Sequence, residues 1–437
     1  MQLGFAPKSA NQLSLFPALQ AAQLIPEIQA NLRDSSEVIV RILLVHNRYQ
    51  QPGGEDGVLR AEADLLRRHL HEVAIFEAHN DQIEGPLDSL ATAVRCVWSP
   101  GAEHSFRRQL LDFQPDVVHV HNFFPLISPA VHHTAHKHGI PVVQTLHNYR
   151  LLCPASTLLR DGSICEACTH EWYPVSAVRH ACYRKNHAAT IAVANMLVFH
   201  RMIGTWTNTV SRFIALSEFA RRKFITSGFP EGRISVKPNF VPDDPGPGDG
   251  NGGYALFVGR LTDEKGIACL LQAWKALHSK QRLIVVGDGP CAPLVRDHVA
   301  KDSSVQWLGF QNRSTILELM GNAFALVFPS LWFEAFPLVL AEALAKGLPV
   351  ITSNLGSMAE IISHRRTGLL FAPGSPLDLA NALQWAFDHR AEFLAMRKHA
   401  RMEFESKYTA EANYRQLLNI YEKAQPALTA APLASGF

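Results

Sequence analysis

Two glutamates close together in this 437-residue sequence, Glu334 and Glu342, sit in a segment whose chemistry can be read directly. The run Phe328-Pro329-Ser330-Leu331-Trp332-Phe333-Glu334-Ala335-Phe336-Pro337-Leu338 ends a predicted strand, crosses a loop and enters a predicted helix over Leu338–Lys346. Pro337 suits the first turn of that helix, and Gly347 falls just past its end. A helix amino end offers unpaired N–H groups and partial positive charge to a phosphate. Glu334 in the loop and Glu342 in the helix are placed to accept hydrogen bonds from sugar hydroxyls on either side of such a phosphate. Upstream, the strand Tyr254–Val258 ends in Gly259-Arg260-Leu261-Thr262-Asp263-Glu264-Lys265-Gly266. Gly259 lets the backbone come close to a ligand, and Arg260 and Lys265 supply two cations that can neutralise a diphosphate without a metal. The next strand ends in Gly287-Asp288-Gly289-Pro290-Cys291-Ala292, a G-x-G-x-x-A run. A dinucleotide site would also need an acidic residue about 20 positions on, and that place holds Trp307-Leu308-Gly309, so the run reads as a tight turn.

Histidine and cysteine are the other candidates. His119 and His121 lie two apart on a predicted strand and share a face, with His121 nearer its carboxyl end. His46 ends the first strand in an equivalent place. His132, His133, His136 and His138 form a run on a predicted helix and are expected to be solvated. Four of the seven cysteines fall in one segment, Cys153, Cys165, Cys168 and Cys182, with spacing C-x11-C-x2-C-x13-C. One C-x2-C knuckle with two flanking cysteines has the ligand set of a structural four-thiolate zinc site, with His170 or His180 able to replace one thiolate. Reduced thiols in an ordinary loop, or a disulfide, are the alternatives at this stage. Cys96, Cys269 and Cys291 are expected to be small buried residues.

These side chains need a scaffold that delivers them to one place. From Arg41 onward, apolar runs alternate with helical spacing. Ile42–Val45, Val73–Phe76, Asp116–His121, Pro141–Thr145 and Arg212–Leu216 read as strands, and the pattern restarts at Tyr254–Val258, Arg282–Val286, Ser304–Leu308, Ala325–Pro329 and Pro349–Thr352. Strands alternating with helices imply parallel sheets. Between the two series, residues 243–253 read DDPGPGDGNGG, which can be neither strand nor helix and is taken as a linker. The expected organisation is a poorly ordered extension 1–40, a first Rossmann-like domain 41–242 with a Cys-rich insertion 150–185, the linker 243–253, a second Rossmann-like domain 254–424 and a tail 425–437. A cleft between two such units is the default ligand site.

With 47% hydrophobic and 18% charged residues the chain is neither disordered nor fibrous. Its net charge of +2 provides no global field for nucleic acid. That small number is a cancellation, because residues 51–120 carry −6 and residues 150–240 carry +7. The basic stretch suits anionic lipid head groups or a diphosphate-linked acceptor. No secretory signal and no apolar stretch of membrane-spanning length is seen. A cytoplasmic protein touching the inner face of the cytoplasmic membrane from one side fits these features.

Gly259-Arg260 with Lys265-Gly266, then Gly287-Asp288-Gly289, then Glu334-x7-Glu342 resemble, in order and spacing, the retaining nucleotide-sugar glycosyltransferases of family 4, with the GT-B fold. The resemblance extends to the Pro52-Gly53-Gly54 loop, Val118-His119-Val120-His121, Thr145-Leu146-His147 and Leu216-Ser217, from about Arg41 to Ala424. It implies an α/β fold of two Rossmann-like domains, the first binding the acceptor and the second the donor. It further implies that Arg260 and Lys265 hold the donor diphosphate, Glu342 the ribose hydroxyls, and Glu334 the donor sugar, helped by backbone N–H groups near Phe336, Pro337 and Leu338. Leu308, Gly309 and Phe310 would lie by the nucleobase. Gly53 and Gly54 would approach phosphates and acceptor, with His121 near the reacting carbon. The implied partners are a nucleoside-diphosphate sugar and a glycan or lipid-linked hydroxyl acceptor, in polysaccharide or cell-envelope biosynthesis. No Asp-x-Asp occurs, so no catalytic metal is expected, Arg260 and Lys265 taking its electrostatic role. The rival readings are a GT-B-like sugar-nucleotide epimerase, which would need proton-transfer groups such as His121 with Glu55 or Asp56, and a non-catalytic nucleotide-sugar-binding or zinc-stapled module.

Overall fold

The computed structural model describes residues 39–49, 53–82, 86–277 and 281–425. The expected extension 1–40 and tail 425–437 fall almost wholly outside the described residues, as does Pro52 of the glycine-rich loop. Among the described residues, fourteen strands follow in chain order. β1 (Arg41–Arg48), β2 (Glu72–His79), β3 (Val117–Asn122), β4 (Val142–Leu146), β7 (Arg212–Ala215) and β8 (Ile234–Val236) form a first sheet, ordered β2-β1-β3-β4-β7-β8. β9 (Tyr254–Val258), β10 (Arg282–Val286), β11 (Val305–Trp307), β12 (Ala325–Phe328), β13 (Val350–Ser353) and β14 (Gly368–Phe371) form a second, ordered β11-β10-β9-β12-β13-β14. The small antiparallel hairpin β5 (Leu159–Arg160) and β6 (Ser163–Ile164) lies in the Cys-rich insertion.

Both large sheets are parallel throughout. The apolar runs explain this, because a parallel sheet is covered by helices on both faces. In the second sheet, alternate residues divide cleanly between two cores. Ala255, Phe257, Leu283, Val285 and Val327 enter one cluster. Leu256, Val258, Ile284, Val286 and Phe328 enter the other.

The strand orders decide where a ligand can sit. In each sheet the connections run outward in opposite directions from one pair of strands, β1 and β3 in the first, β9 and β12 in the second. At such a switch point the loops leaving the carboxyl ends diverge and open a crevice. Gly53 and Gly54 follow β1 where the next helix begins, and His121 lies at the carboxyl end of β3; the loops after β9 and β12 carry Arg260, Lys265 and Glu334.

Sequence patterning assigns 410–424 to the second half, but the structure places the helix Ala410–Ala424 against the first sheet. Buried polar groups fix it there. The Tyr421 hydroxyl lies 2.8 Å from His119 Nδ1, and Tyr414 lies 2.9 Å from His71 Nε2. Lys237 Nζ donates to both Glu62 and Asn413 at 3.3 Å. Residues 243–253 contain no helix or strand, and their backbone is pinned to the second half by Gly248 N to Lys346 O (3.0 Å) and Gly252 N to Asn322 O (2.8 Å). The two halves also meet at the helix Glu218–Thr226. The Glu360 carboxylate, from the second half, accepts from the N–H groups of Glu218 and Phe219 at 2.8 and 2.9 Å, complementing that helix's positive end. Phe219 packs on Phe333 with ring centroids 4.7 Å apart, one residue from Glu334. No helix of the described residues is long and apolar enough to cross a membrane.

Candidate functional site

The loop after β9 is held by the loop after β10. Leu261 N donates to Asp288 O at 2.9 Å, and Cys291 N donates to Leu261 O at 2.8 Å. Gly287 has φ +133°, and a Cβ there would stand 1.9 Å from Gly259 O. The G-x-G-x-x-A run is therefore a tight packing turn, as its missing acidic partner suggested, and it presses the Arg260 loop into place. Arg260 itself is exposed.

Lys265 ends a short 3-10 turn, Asp263–Lys265. Its ammonium lies 2.6 Å from Glu334 Oε1, although the two residues are far apart in sequence. The same oxygen accepts from Ser330 Oγ at 2.8 Å and Trp332 Nε1 at 2.7 Å. Ser357 Oγ donates to the Glu334 carbonyl at 2.7 Å. Glu334 is thus a buried carboxylate locked by one cation, one hydroxyl and one indole, with its backbone carbonyl held by a second hydroxyl. Three residues later, Pro337 precedes the helix Leu338–Ala345, so a helix amino end follows this pair closely in the chain. Glu342, one turn in, is also buried, and its Oε1 accepts from Arg313 Nε at 2.9 Å. Burial raises the Glu342 carboxyl above the usual range, and Arg313 opposes that shift. Gly309 has φ +66° and its carbonyl accepts from Gly287 N, while Phe310 stands 81% exposed at the carboxyl end of β11.

Across the first sheet's switch point, Asp56 bridges two elements. It accepts from Gly53 N at 2.6 Å and lies 2.8 Å from His46 Nε2, so the helix Gly54–Arg68 begins at the glycines, four residues before its apolar pattern. His121 Nδ1 lies 2.9 Å from His147 Nε2, and His121 Nε2 is buried without a partner. Burial, reinforced by His119 and His147, holds His121 well below the usual imidazole range, so it is neutral. Burial likewise pushes His147 down to about 3. Two uncharged imidazoles can offer hydrogen bonds here but no positive charge.

Glu55 is the most unusual group on this side. Burial pushes its carboxyl up to about 7, with Asp56 adding and His46, Tyr49 and Arg150 opposing. Asn122 Nδ2 donates to it at 3.3 Å. A folded pKa above the unfolded one means that stability is full below the unfolded value and falls as pH rises through about 7. Glu55→Gln should therefore remove about 2 kcal/mol of the stability lost between pH 5 and pH 8, a figure reduced for partial solvent access. Urea denaturation of both proteins at the two pH values measures it; parallel behaviour would refute the assignment.

Residues 52–244 match the family described as Glycosyltransferase Family 4, and residues 246–403 match Glycosyl transferases group 1. The chain belongs to the family 4 glycosyltransferases. It is 30% identical over 178 residues to an uncharacterized glycosyltransferase of Methanocaldococcus jannaschii, covering 39% of this chain and 44% of that protein. It is 26% identical over 262 residues to a 42.6 kDa protein of the Klebsiella pneumoniae cps region, covering 59% and 62%. The alignments thus span about two fifths to three fifths of these relatives' length. The fold is shared with Anabaena HepE, solved in complex with UDP, at TM-score 0.62 and 18% identity over 87% of this chain and 99% of that one. GT-B is accordingly the architecture of this family 4 chain.

The family 4 motif residues fall into two groups in space. Lys265 and Glu334 are in direct contact, Glu342 stands one helical turn beyond, and Gly259 and Gly287 shape their support. Gly53, Gly54 and His121 belong to the other wall. Sequence reasoning missed Arg313 and Asn122, and gave no role to Ser330, Trp332 or His147 although their segments were singled out; their roles depend on contacts that only folding creates. The expected solvated histidine run is corrected at His132, which is buried with Nε2 2.8 Å from Gln144 Oε1, and at His133, whose Nε2 lies 2.7 Å from Thr205 Oγ1. Cys96 and Cys269 are buried; Cys291 is only partly so. Ligand atoms of Glu62, His119 and His121 cluster within 4.8 Å of one another. The Lys237 ammonium already occupies Glu62, and both His119 nitrogens have hydroxyl partners, so a hydrogen-bond network accounts for this group.

Proposed function

We propose that this protein is a retaining glycosyltransferase that moves a hexosyl group from a nucleoside-diphosphate sugar to a hydroxyl of a glycan or lipid-linked acceptor, in polysaccharide or cell-envelope biosynthesis. The observation that carries this reading is the Lys265–Glu334 pair at the second sheet's switch point, followed closely in the chain by a helix amino end. Arg260 and Lys265 take the diphosphate together with the N–H groups at Phe336 and Leu338, on either side of Pro337. Glu342, aligned by Arg313, takes the ribose hydroxyls, and Phe310 lies by the base. Glu334 takes the sugar hydroxyls. The bond from the anomeric carbon to the diphosphate oxygen breaks, and the acceptor oxygen bonds to the same face of that carbon. The acceptor proton leaves with the diphosphate, whose growing charge the two cations stabilise. No metal is assigned a role. Neutral His121 offers a hydrogen bond to the sugar near the reacting carbon.

The cleft walls come from different halves, and closure completes the site. UDP and UDP-glucose complexes of the structural neighbour HepE support a nucleotide-sugar donor. The amylovoran biosynthesis glycosyltransferase of Erwinia amylovora, 28% identical over 179 residues, supports the polysaccharide setting. Cytoplasmic placement with contact to an anionic membrane belongs to the same proposal. It is supported by exposed Trp172 and Val175 in the same stretch of chain as exposed Arg179, Arg184 and Lys185. Co-sedimentation with anionic but not neutral vesicles reads that contact.

A thermal-shift panel of UDP-, GDP- and ADP-sugars in chelator tests the donor assignment. One base should raise Tm in the native protein and fail to do so in Lys265→Ala, since a ligand stabilises the state that binds it. No shift with any nucleotide would contradict the proposal. One observation favours the epimerase reading, the Glu55 carboxyl poised near neutrality. Solvent deuterium appearing at a carbon of the recovered donor would decide for it.

A further inference from the structure

We propose that Cys153, Cys165, Cys168 and Cys182 form a structural zinc site that ties the Cys-rich insertion together. These four side chains are distant in sequence and arrive on different local structures. Cys153 closes a turn, its N–H donating to Tyr149 O at 2.8 Å. Cys165 follows the β5–β6 hairpin, its N–H donating to Leu158 O at 2.8 Å, and Cys168 completes the knuckle. Cys182 follows the helix Val175–Arg179, its N–H donating to Ala177 O at 3.1 Å. All four nevertheless line one cavity of about 10 Å³, together with Leu159, Arg160, Ser176 and Ala177. That space suits one water-sized particle and excludes any organic cofactor. No carboxylate lines it, and His170 and His180 are exposed away from it, so the donor set is four thiols.

Four tetrahedral thiolates are the ligand set of structural zinc sites, and two excess negative charges would remain on the cluster. Arg160, in the lining, supplies one compensating cation. All seven cysteines are free, so no disulfide competes for these sulfurs. No three of these sulfurs lie within 4.8 Å of one another, so binding draws them inward, to about 2.3 Å from the ion. The local backbone is well suited to such a staple. β5 and β6 are two residues each, and an isolated hairpin of that size does not hold itself.

The staple has a mechanical consequence. Glu166, inside the knuckle, forms an ion pair with Lys223. Lys223 lies 5.1 Å from the Phe333 ring centroid, next to Glu334. The knuckle therefore braces the loop that carries the donor-site carboxylate.

The test is metal content. Full-length protein prepared in zinc-replete medium and desalted without chelator should carry about one zinc per chain. Cys165→Ser/Cys168→Ser should lose it and unfold at lower temperature, while Cys96→Ser/Cys269→Ser/Cys291→Ser keeps it. If the knuckle variant fails to fold, cobalt exchanged into the native protein decides: tetrahedral thiolate ligation gives intense visible and charge-transfer bands. Native protein without zinc, zinc equally retained by a folded knuckle variant, or cobalt without thiolate bands overturns the proposal.

Discussion

Lys265→Ala should lower turnover by about 100- to 1000-fold, the usual loss when one preorganised charge opposite a developing anion is removed. Three donors converge on Glu334 Oε1 in this structure, and Lys265 at 2.6 Å is the only cation among them. Its removal leaves a buried carboxylate held by a hydroxyl and an indole. The fold should survive, because those two neutral donors still satisfy that oxygen and the Lys265 side chain is near the surface of the cleft, 16% exposed. The loss should therefore appear in kcat and donor affinity, with circular dichroism and the core's unfolding little changed. Lys265→Arg keeps the charge but not the shape, and should recover only part of the activity. Because the lysine and glutamate act as a pair, Lys265→Ala/Glu334→Ala should cost much less than the two single losses added together. Steady-state kinetics of the four proteins checks this; additive losses would mean that the contact is incidental.

Gly287→Ala should be strongly disruptive to the donor half. The residue sits at φ +133°, where side chains are strained, and the new Cβ would lie 1.9 Å from the Gly259 carbonyl oxygen. That contact is with backbone, so relief requires the loop after β9 or the loop after β10 to move. The two loops are joined through Leu261 and Asp288, so the displacement carries Arg260 and Lys265 with it. The expected cost is about 3 kcal/mol or more in stability, together with loss of donor binding. Gly101→Ala is the matched control. It lies in the helix Pro100–Phe113, with nothing within 4 Å of its Cβ position, and should be neutral or stabilising by about 0.5–1 kcal/mol. Chemical denaturation separates the two; equal midpoints would refute the packing role of the G-x-G turn.

Much of the scaffold is readable from patterning because the sheets are buried on both faces. Tyr254–Val258 and Arg282–Val286 coincide with β9 and β10, since continuous apolar runs bounded by charged or glycine residues leave little freedom in register. β8 and β14 escape such reading. They are edge strands of three and four residues, and Ile234-Ser235-Val236 carries too short a signal to stand out. The helix at Ala410–Ala424 has a clear period, but nothing local says that it returns to the first sheet; Tyr421 meeting His119 decides that. The same distinction runs through the site. Types and positions of Lys265, Glu334 and Glu342 are visible in sequence as strand-end and helix-start residues. Their pairing is not, because Lys265–Glu334 and Arg313–Glu342 join segments separated by whole βα units. Burial of His132 and the high carboxyl pKa of Glu55 are tertiary effects with no local signature.

The most direct measurement of the central claim is proton NMR of the sugar transferred from an α-linked nucleoside-diphosphate donor, chosen from the thermal-shift panel, with chelator present. The account predicts that the first-formed product is α-linked, that it accumulates with stoichiometric release of the nucleoside diphosphate, and that Glu334→Ala and Lys265→Ala form it at least about 100-fold more slowly. A β-linked product, or undiminished transfer by both variants, would contradict it.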